Sequence, residues 1–270
     1  MFKQNIHPPA LFQTREKTEM SDLEEFANIM LDLTPPRDLE VPHDNIYTFK
    51  DSGISLHTPI HIQTDSAPGC GGKIWESGEM MCDYIIEKLM DPESKFSKLH
   101  ENRYRNIIEL GTGTGIVSLL LGELHNEGYT NFDNVDATDI TALLPLLEEN
   151  IKHNNMENII HAKELWWGQA IDKKEFDLNK VDLILAADCV YHECLFEILI
   201  ETFMNLTEVN QDTPILLAYK KRRNADKRFF QKLKKHFICL DLSNFRMYEH
   251  AKTHKMHMYL ITRKKRDCLD

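Results

Sequence analysis

The stretch Asn106-Ile107-Ile108-Glu109-Leu110-Gly111-Thr112-Gly113-Thr114-Gly115 combines an apolar run, a glycine-spaced turn and the start of an apolar helical segment. A strand that leads through a glycine turn into a helix is how a parallel sheet binds a nucleotide-like cofactor. Gly111 and Gly113 have no Cβ, so the backbone there can turn sharply and approach a ligand closely. The stretch therefore predicts a cofactor-binding enzyme, although an ordinary tight strand-to-helix turn can carry the same glycines.

The spacing of the glycines separates two classes of cofactor. Dinucleotide-binding turns read G-x-G-x-x-G, whereas the third glycine here comes one residue earlier, and Glu109 stands two residues before the first. A carboxylate at the end of a strand attracts a sulfonium or an amino group and repels a pyrophosphate. The pattern therefore favours S-adenosylmethionine over NAD, with Glu109 as one of its binding residues.

The composition of the chain limits its number of domains, its kinds of partner and its cellular compartment. A chain of 270 residues that is 42% hydrophobic can bury one large core, so we expect one principal domain. The net charge of -11 disfavours a main role in binding phosphate backbones and is compatible with a basic protein partner. The six cysteines form no C-x-x-C pair and are interpreted as reduced thiols. No segment resembles a signal peptide or a membrane span, and we expect a cytoplasmic monomer that binds neither nucleic acid nor membrane.

Along the chain, an arm precedes an α/β domain. Residues 1–68 are rich in Pro, Asp, Glu and Thr, with helical spacing of apolar residues only at 22–33, and are predicted to be a partly ordered N-terminal arm. Residues 69–270 are predicted to form the catalytic domain. Strands are predicted at 106–110, 134–138, 159–164, 181–187, 214–219, 237–242 and 257–262, and helices at 75–90, 114–125, 142–154, 194–207 and 225–236. This alternation predicts a doubly wound, mostly parallel seven-strand sheet with an antiparallel final strand.

Ligands of such sheets bind beyond the carboxyl ends of the strands, where the strand order reverses. Asp139 follows the second strand of the series, and a carboxylate at this place can accept hydrogen bonds from two ribose hydroxyls. The alternative is that Asp139 caps the helix that begins near residue 142.

Two adjacent tryptophans, Trp166 and Trp167, follow the third strand. Aromatic rings at a strand end can pack beside an adenine, and they can equally be core anchors. Adjacent residues of an extended segment point in opposite directions, so only one of the two should face the ligand. Trp167 is the predicted one, because its neighbour Gly168 frees the backbone.

The fourth strand, 181–187, is almost wholly apolar and ends at Asp188, followed by Tyr191. Polar side chains directly after a strand buried on both faces are expected to face a cleft. Methyl transfer to an amine needs an unprotonated, oriented and water-shielded nucleophile rather than a dedicated base, and Asp188 and Tyr191 can align such an amine. The alternative is a helix cap at Asp188 and a tyrosine at the rim of the core.

Other patterns carry less weight. The spacing of His250, His254 and His257 resembles a metal site, but no matching acids or cysteines accompany it, and we predict no metal. The basic run at 220–223 is interpreted as solvated, or else as a contact for an acidic surface. The chain has no nucleophile elbow, P-loop or H-E-x-x-H motif, which disfavours the common hydrolases, NTPases and metalloproteases.

Four segments carry a resemblance to a known family; they are Gly71 to Glu79, Glu164 to Gly168, Leu185 to Tyr191 and Ala218 to Arg223. They resemble the family sixteen protein-lysine methyltransferases, of the seven-strand class that uses S-adenosylmethionine, and among them the fungal enzymes that methylate translation elongation factor 1-alpha. The resemblance extends over about residues 70–263. It implies cofactor-binding roles for Trp75, Gly111, Thr112, Gly113, Asp139, Trp167 and Ala187. It also implies that Asp188 and Tyr191 are the catalytic D-x-x-Y pair of the lysine site.

Three other functions remain open from the residues alone. A nucleic-acid base methyltransferase would carry a D/N-P-P-Y tetrad where this chain has Asp188-Cys189-Val190-Tyr191. A non-catalytic cofactor-binding module could use the acidic surface to bind a basic partner. An NAD-linked oxidoreductase would bind NAD in place of S-adenosylmethionine.

Overall fold

The protein is described by a computed structural model that covers residues 43–50, 56–90 and 104–265. The predicted helix at 22–33 lies outside these residues. Seven strands form one sheet: β3 (Asn106–Leu110), β4 (Asn134–Asp139), β5 (Ile160–Glu164), β6 (Leu183–Ala187), β7 (Ile215–Lys220), β8 (Phe237–Asp241) and β9 (Met256–Arg263). Their order is β5-β4-β3-β6-β7-β9-β8. Strands β3 to β7 pair in parallel, and β9 is antiparallel to both of its neighbours. The predicted mostly parallel, doubly wound sheet is confirmed.

Helices cover the sheet; they are α1 (Glu76–Met90), α2 (Ile116–Asn126), α3 (Leu144–His153), α4 (Phe196–Leu206), α5 (Asp226–Leu233) and α6 (Tyr248–Thr253). Single 3₁₀ turns precede α1 at Cys70–Gly72 and α4 at Glu193–Leu195. The first five helices confirm the predicted ones, with ends that differ by at most three residues. Helix α6 was not predicted, because its six residues bury only Ala251 and leave no helical repeat to detect. None of the helices in the described residues is long and apolar enough to span a membrane.

The centre of the sheet is buried on both faces. In β6, Leu183 and Leu185 belong to a core cluster shared with α1 and α2, whereas Ile184 and Ala186 belong to the cluster shared with α4 and α5. This alternation follows from the two-residue period of a strand. The apolar run at 181–187 is therefore explained by its central position, and the strand order reverses between β3 and β6, beside that run.

An antiparallel hairpin of β1 (His43–Tyr47) and β2 (Ile60–Thr64) packs against α3. Asn150 of α3 hydrogen-bonds to both the backbone N–H and the carbonyl of Gln63, at 2.8 and 3.0 Å, and Asn154 does the same to His61, at 2.9 and 2.7 Å. Four helical residues rise about 6 Å, close to the rise of two strand residues, so the two amides bond alternate residues of β2. The sequence pattern did not predict these strands, and the division of the chain at residue 68 stays a prediction.

Candidate active site

A cavity of about 350 Å³ opens beyond the carboxyl ends of β3, β4 and β6. All ten predicted site residues line it: Trp75, Glu109, Gly111, Thr112, Gly113, Asp139, Trp167, Ala187, Asp188 and Tyr191. Nine of them converge because they lie at or after the carboxyl ends of β3, β4, β5 and β6, which are parallel neighbours in the sheet. Trp75 lines the cavity from the segment directly before α1. The structure thus brings together all of the residues proposed from the sequence.

The glycine loop after β3 lies close against a second stretch of backbone. Gly113 has φ of +59°, and a Cβ at this position would lie 2.5 Å from the carbonyl oxygen of Gly71. The backbone N–H of Thr112 donates to the carbonyl of Thr138 at 3.0 Å, which ties the loop to β4. A side chain at Gly113 would therefore be strained and would separate the two backbones.

Glu109 is a carboxyl group buried beneath the loop, with 1% of its surface exposed. Its Oε2 accepts a hydrogen bond from the backbone N–H of Ser118 at 3.0 Å, and a second one from the Ser118 hydroxyl. Burial is the main cause that raises the pKa of Glu109 to about 8, against the lowering effect of the Ser118 hydrogen bonds. A buried carboxyl with this pKa is one whose negative charge a nearby cation would stabilise.

Asp139 joins β4 to the glycine loop. Its Oδ2 accepts from the backbone N–H of Gly113 and its Oδ1 from that of Ile140, both at 2.8 Å. A carboxylate has about four acceptor sites, so two remain for a ligand. Burial raises its pKa to about 6. The alternative of a helix cap is wrong: α3 begins at Leu144, and no side chain caps its amino end.

Both tryptophans after β5 line the cavity, and which of the two faces a bound ligand stays a prediction. The chain leaves the strand at residue 165 and turns, with Gly168 at φ of +79°, so the alternation of an extended segment no longer applies. Trp167 lies over the glycine loop, since a Cβ on Gly111 would be 3.1 Å from its ring. Trp166 instead donates from its indole to Glu164 at 2.7 Å.

Asp188 forms a two-point ion pair that the sequence pattern did not predict. The guanidinium of Arg222 donates to its two carboxylate oxygens at 2.8 and 2.5 Å, and lies 5.0 Å from the ring centre of Trp75. Asp188 has φ of +59°, a left-handed conformation that aspartate adopts more readily than most residues. Among the described residues it caps no helix. The run at 220–223 is largely solvated as interpreted, and Arg222 is itself exposed, but its guanidinium is also paired with Asp188.

Tyr191 and Cys189 flank this pair. Burial raises the pKa of the Tyr191 phenol well above its usual value, so the hydroxyl remains a hydrogen-bond donor at neutral pH. Burial likewise raises the pKa of Cys189, whose thiol lies 3.1 Å from the carbonyl oxygen of Leu110. Both groups are therefore uncharged, and Tyr191 is the one that can donate a hydrogen bond to a ligand.

The cavity has further walls that the sequence pattern did not indicate, among them Gly71, Lys73, Leu143, His192, Arg222 and Arg223. These residues lie on loops whose paths depend on tertiary contacts. The histidines with metal-like spacing are elsewhere, and Nδ1 of His254 is 2.9 Å from the carbonyl oxygen of His250. In the residues that the structure describes, no group of three or more His, Cys, Asp or Glu side chains could hold a metal ion.

The family model described as "Lysine methyltransferase" matches residues 55–236. The chain belongs to this family. The protein-lysine N-methyltransferase EFM6 of Saccharomyces cerevisiae is 40% identical over 202 residues, which cover 73% of this chain and 82% of that protein. The protein-lysine methyltransferase METTL21E of Mus musculus is 33% identical, over 68% and 70% of the two chains. The EEF1A lysine methyltransferase 3 of Xenopus tropicalis is 26% identical, over 84% and 92%.

As a member of the lysine methyltransferase family, the protein is a protein-lysine N-methyltransferase that uses S-adenosylmethionine. The site fits this cofactor: a glycine loop leaves room for close approach, a buried carboxyl lies where a cationic end would be stabilised, and Asp139 retains two acceptor sites. Family membership decides against the oxidoreductase, the nucleic-acid base methyltransferase and the non-catalytic module.

Proposed function

We propose that this lysine methyltransferase acts on a lysine of translation elongation factor 1-alpha in the cytoplasm. The observation that carries the proposal is the acceptor end of the cavity, where Asp188 and Tyr191 lie beside the glycine loop in one pocket. The choice of substrate is supported by the relative from Xenopus tropicalis, which is named for methylation of this factor and is matched over 92% of its length.

Each cavity residue has a role in this proposal. Asp139 accepts hydrogen bonds from the two ribose hydroxyls of the cofactor through its two remaining acceptor sites. Glu109 stabilises the cationic end, and the glycine loop lies against the nucleoside. Trp167 packs on the adenine side, and Trp75 lies against the cofactor.

When bound, S-adenosylmethionine supplies a methyl group on a sulfonium, which the lysine nitrogen attacks as the carbon–sulfur bond breaks. Asp188 and Tyr191 hold the amine in line: the carboxylate accepts from an amine N–H, and the phenol fixes the approach. The ring of Trp75, which lies 5.0 Å from the guanidinium of Arg222, borders this point. Orientation and desolvation of an uncharged amine account for the rate without a dedicated base.

The test is a methylation reaction with purified protein, labelled S-adenosylmethionine and elongation factor 1-alpha that was produced in bacteria. Mass spectrometry of the factor should find the label on one lysine, and substitution of that lysine by arginine should abolish it. The matched control is Asp188→Asn, which should keep cofactor affinity and lose labelling. A wild-type protein that binds the cofactor and does not label the factor would refute the proposed substrate.

Loss of the protein from cells tests the same proposal. Elongation factor 1-alpha isolated from cells that lack this protein should have lost methylation at the lysine that is labelled in vitro. Reintroduction of the wild-type protein should restore it, whereas Asp188→Asn should not. Unchanged methylation in the deletion cells would assign that lysine to a different enzyme.

A further inference from the structure

The carboxylate at the acceptor end of the cavity is already paired. Asp188 has 6% of its side chain exposed and Arg222 has 30%, so the pair is screened only partly by water. The two parallel N–H···O bonds are the strongest geometry available to a carboxylate and a guanidinium. A substrate amine that reaches Asp188 therefore meets a carboxylate whose charge is compensated.

Several contacts hold Arg222 in this position. The buried carboxylate of Asp226 accepts the backbone N–H groups of Arg222 and Arg223 at 3.0 and 3.1 Å, which fixes the loop after β7. The backbone N–H of Lys220 lies 3.3 Å from Oδ1 of Asp188. The guanidinium also lies over Trp75. The pair is thus built into the end of the sheet and is not a chance surface contact.

This pairing has a chemical consequence. An unpaired, buried carboxylate would stabilise the ammonium form of a lysine, and that form has no lone pair with which to attack a methyl group. A carboxylate that is neutralised by Arg222 keeps acceptor sites for the substrate lysine and stabilises its ammonium form little more than its uncharged amine form. We propose that Arg222 is a positioning residue that compensates the charge of Asp188, so that the substrate lysine is held at the methyl donor as an uncharged amine.

Other charged and titratable groups near the pair do not take over this role. They are Lys220 with Glu76, Arg223 with Asp226, and Tyr191, Cys189, His192 and His254. Lys220 and Glu76 form an ion pair with each other, and Arg223 approaches Asp226 at 3.8 Å. Burial raises the pKa of Tyr191 and lowers that of His192, so both are neutral at pH 7. Among the residues that the structure describes, Arg222 is the cation that forms an ion pair with Asp188.

The inference rests on the proposed role of Asp188 and not on the identity of the protein substrate. The first experiment compares Arg222→Gln with wild type over pH 6 to about pH 10, with saturating cofactor, on the protein substrate that is labelled. In the variant, the unpaired carboxylate should favour the bound ammonium. The rising limb of the kcat profile should therefore move to higher pH by about one unit or more, while KM falls.

Two variants complete this experiment. Arg222→Lys restores a cation beside Asp188 and should restore most of the wild-type pH dependence of kcat. Arg228→Gln removes the same charge from an exposed ion pair with Glu193 and should leave the profile in place. A folded Arg222→Gln protein that loses kcat and raises KM without moving the limb would overturn the inference.

A binding experiment needs no protein substrate. The probe is n-butylamine, which reproduces the end of a lysine side chain and is charged at pH 7, and n-butanol is the uncharged comparison. In the presence of S-adenosylhomocysteine, Arg222→Gln should bind n-butylammonium about tenfold tighter than wild type does, with no gain for n-butanol. Arg222→Met, which keeps an aliphatic stem over Trp75, should show the same gain, and Asp188→Asn combined with Arg222→Gln should abolish it.

These results separate the inference from the proposed function. If elongation factor 1-alpha is not labelled and the amine gain is still seen, the proposed substrate is wrong and the role of Arg222 stands. If the factor is labelled and folded Arg222→Gln and Arg222→Met proteins show neither the amine gain nor the shifted profile, the role assigned to Arg222 is wrong.

Discussion

Replacing Glu109 by glutamine should make the cofactor-free protein more stable, and the gain should grow as the pH rises. The glutamine keeps an acceptor for the hydrogen bonds from Ser118 and removes the need to ionise a buried group. The ordinary pKa of a glutamic acid is 4.5, and burial raises that of Glu109 to about 8. Because the folded-state pKa is the higher one, the carboxyl favours folding fully below pH 4.5, and this contribution is lost as the pH rises towards 8.

The expected change in the free energy of unfolding follows from the shift in the pKa of Glu109. Between the two pKa values the folded protein holds a proton that the unfolded chain has released, so the free energy of unfolding falls by about 1.4 kcal/mol per pH unit. From pH 5 to pH 9 the difference between Glu109→Gln and wild type should therefore grow by roughly 4 kcal/mol, an upper bound for a site that can relax. Other titrating groups cancel in this difference.

The assay is urea unfolding of both proteins, without cofactor, at pH values from 5 to 9. Glu149→Gln, the same substitution at an exposed position of α3, is the control and should leave the stability difference near zero throughout. In parallel, cofactor affinity should be weaker in Glu109→Gln than in wild type, and only in wild type should it rise between pH 7 and 8, above the range in which Asp139 titrates. A stability difference for Glu109→Gln that is flat with pH would refute the assignment of a buried, high-pKa carboxyl.

Three further substitutions test the same site. Asp139→Asn should weaken cofactor binding, measured by calorimetry, at least tenfold. In wild type the cofactor affinity should fall as the pH drops through about 6, because protonation of Asp139 removes an acceptor. Binding that does not depend on pH would contradict the ribose role of Asp139. Gly113→Ala should destabilise the protein by about 2 kcal/mol or more in thermal unfolding and abolish cofactor binding, since its Cβ would lie 2.5 Å from the carbonyl oxygen of Gly71; a fully stable variant would contradict the loop geometry. Asn150→Ala should cost about 2 to 3 kcal/mol in urea unfolding, because it leaves buried backbone groups at Gln63 and Thr114 unpaired; a loss below about 0.5 kcal/mol would show that water replaces the amide.

The sheet could be predicted because its central strands are apolar on both faces and alternate with helical segments. Each such run is a local pattern, and the parallel order then follows from general rules of connection. The convergence of Glu109, Asp139 and Asp188 could be predicted for the same reason: side chains that follow neighbouring parallel strands share one edge of the sheet.

What could not be predicted depends on contacts between distant segments. Nothing near Arg222 in the sequence distinguishes it from the other cations of the run at 220–223, and its role appears only when the loop after β7 lies beside the end of β6. The hairpin strand β2 has alternating burial over five residues, too short a pattern to detect in a polar region. Trp166 and Trp167 both line the cavity where the chain turns after β5, with Gly168 at a positive φ, and strand alternation does not anticipate such a turn.

The amide of Asn150 bonds to Gln63 in β2 and also donates to the carbonyl of Thr114 in the glycine loop, at 2.9 Å. The side chain of Asn150 therefore contacts both the hairpin and the glycine loop. Thermodynamic linkage is reciprocal, so any coupling free energy between the glycine loop and β2 acts equally in both directions. We therefore expect hydrogen exchange along β2 to slow when the cofactor binds, and a macromolecule that binds the hairpin to change cofactor affinity without entering the cavity.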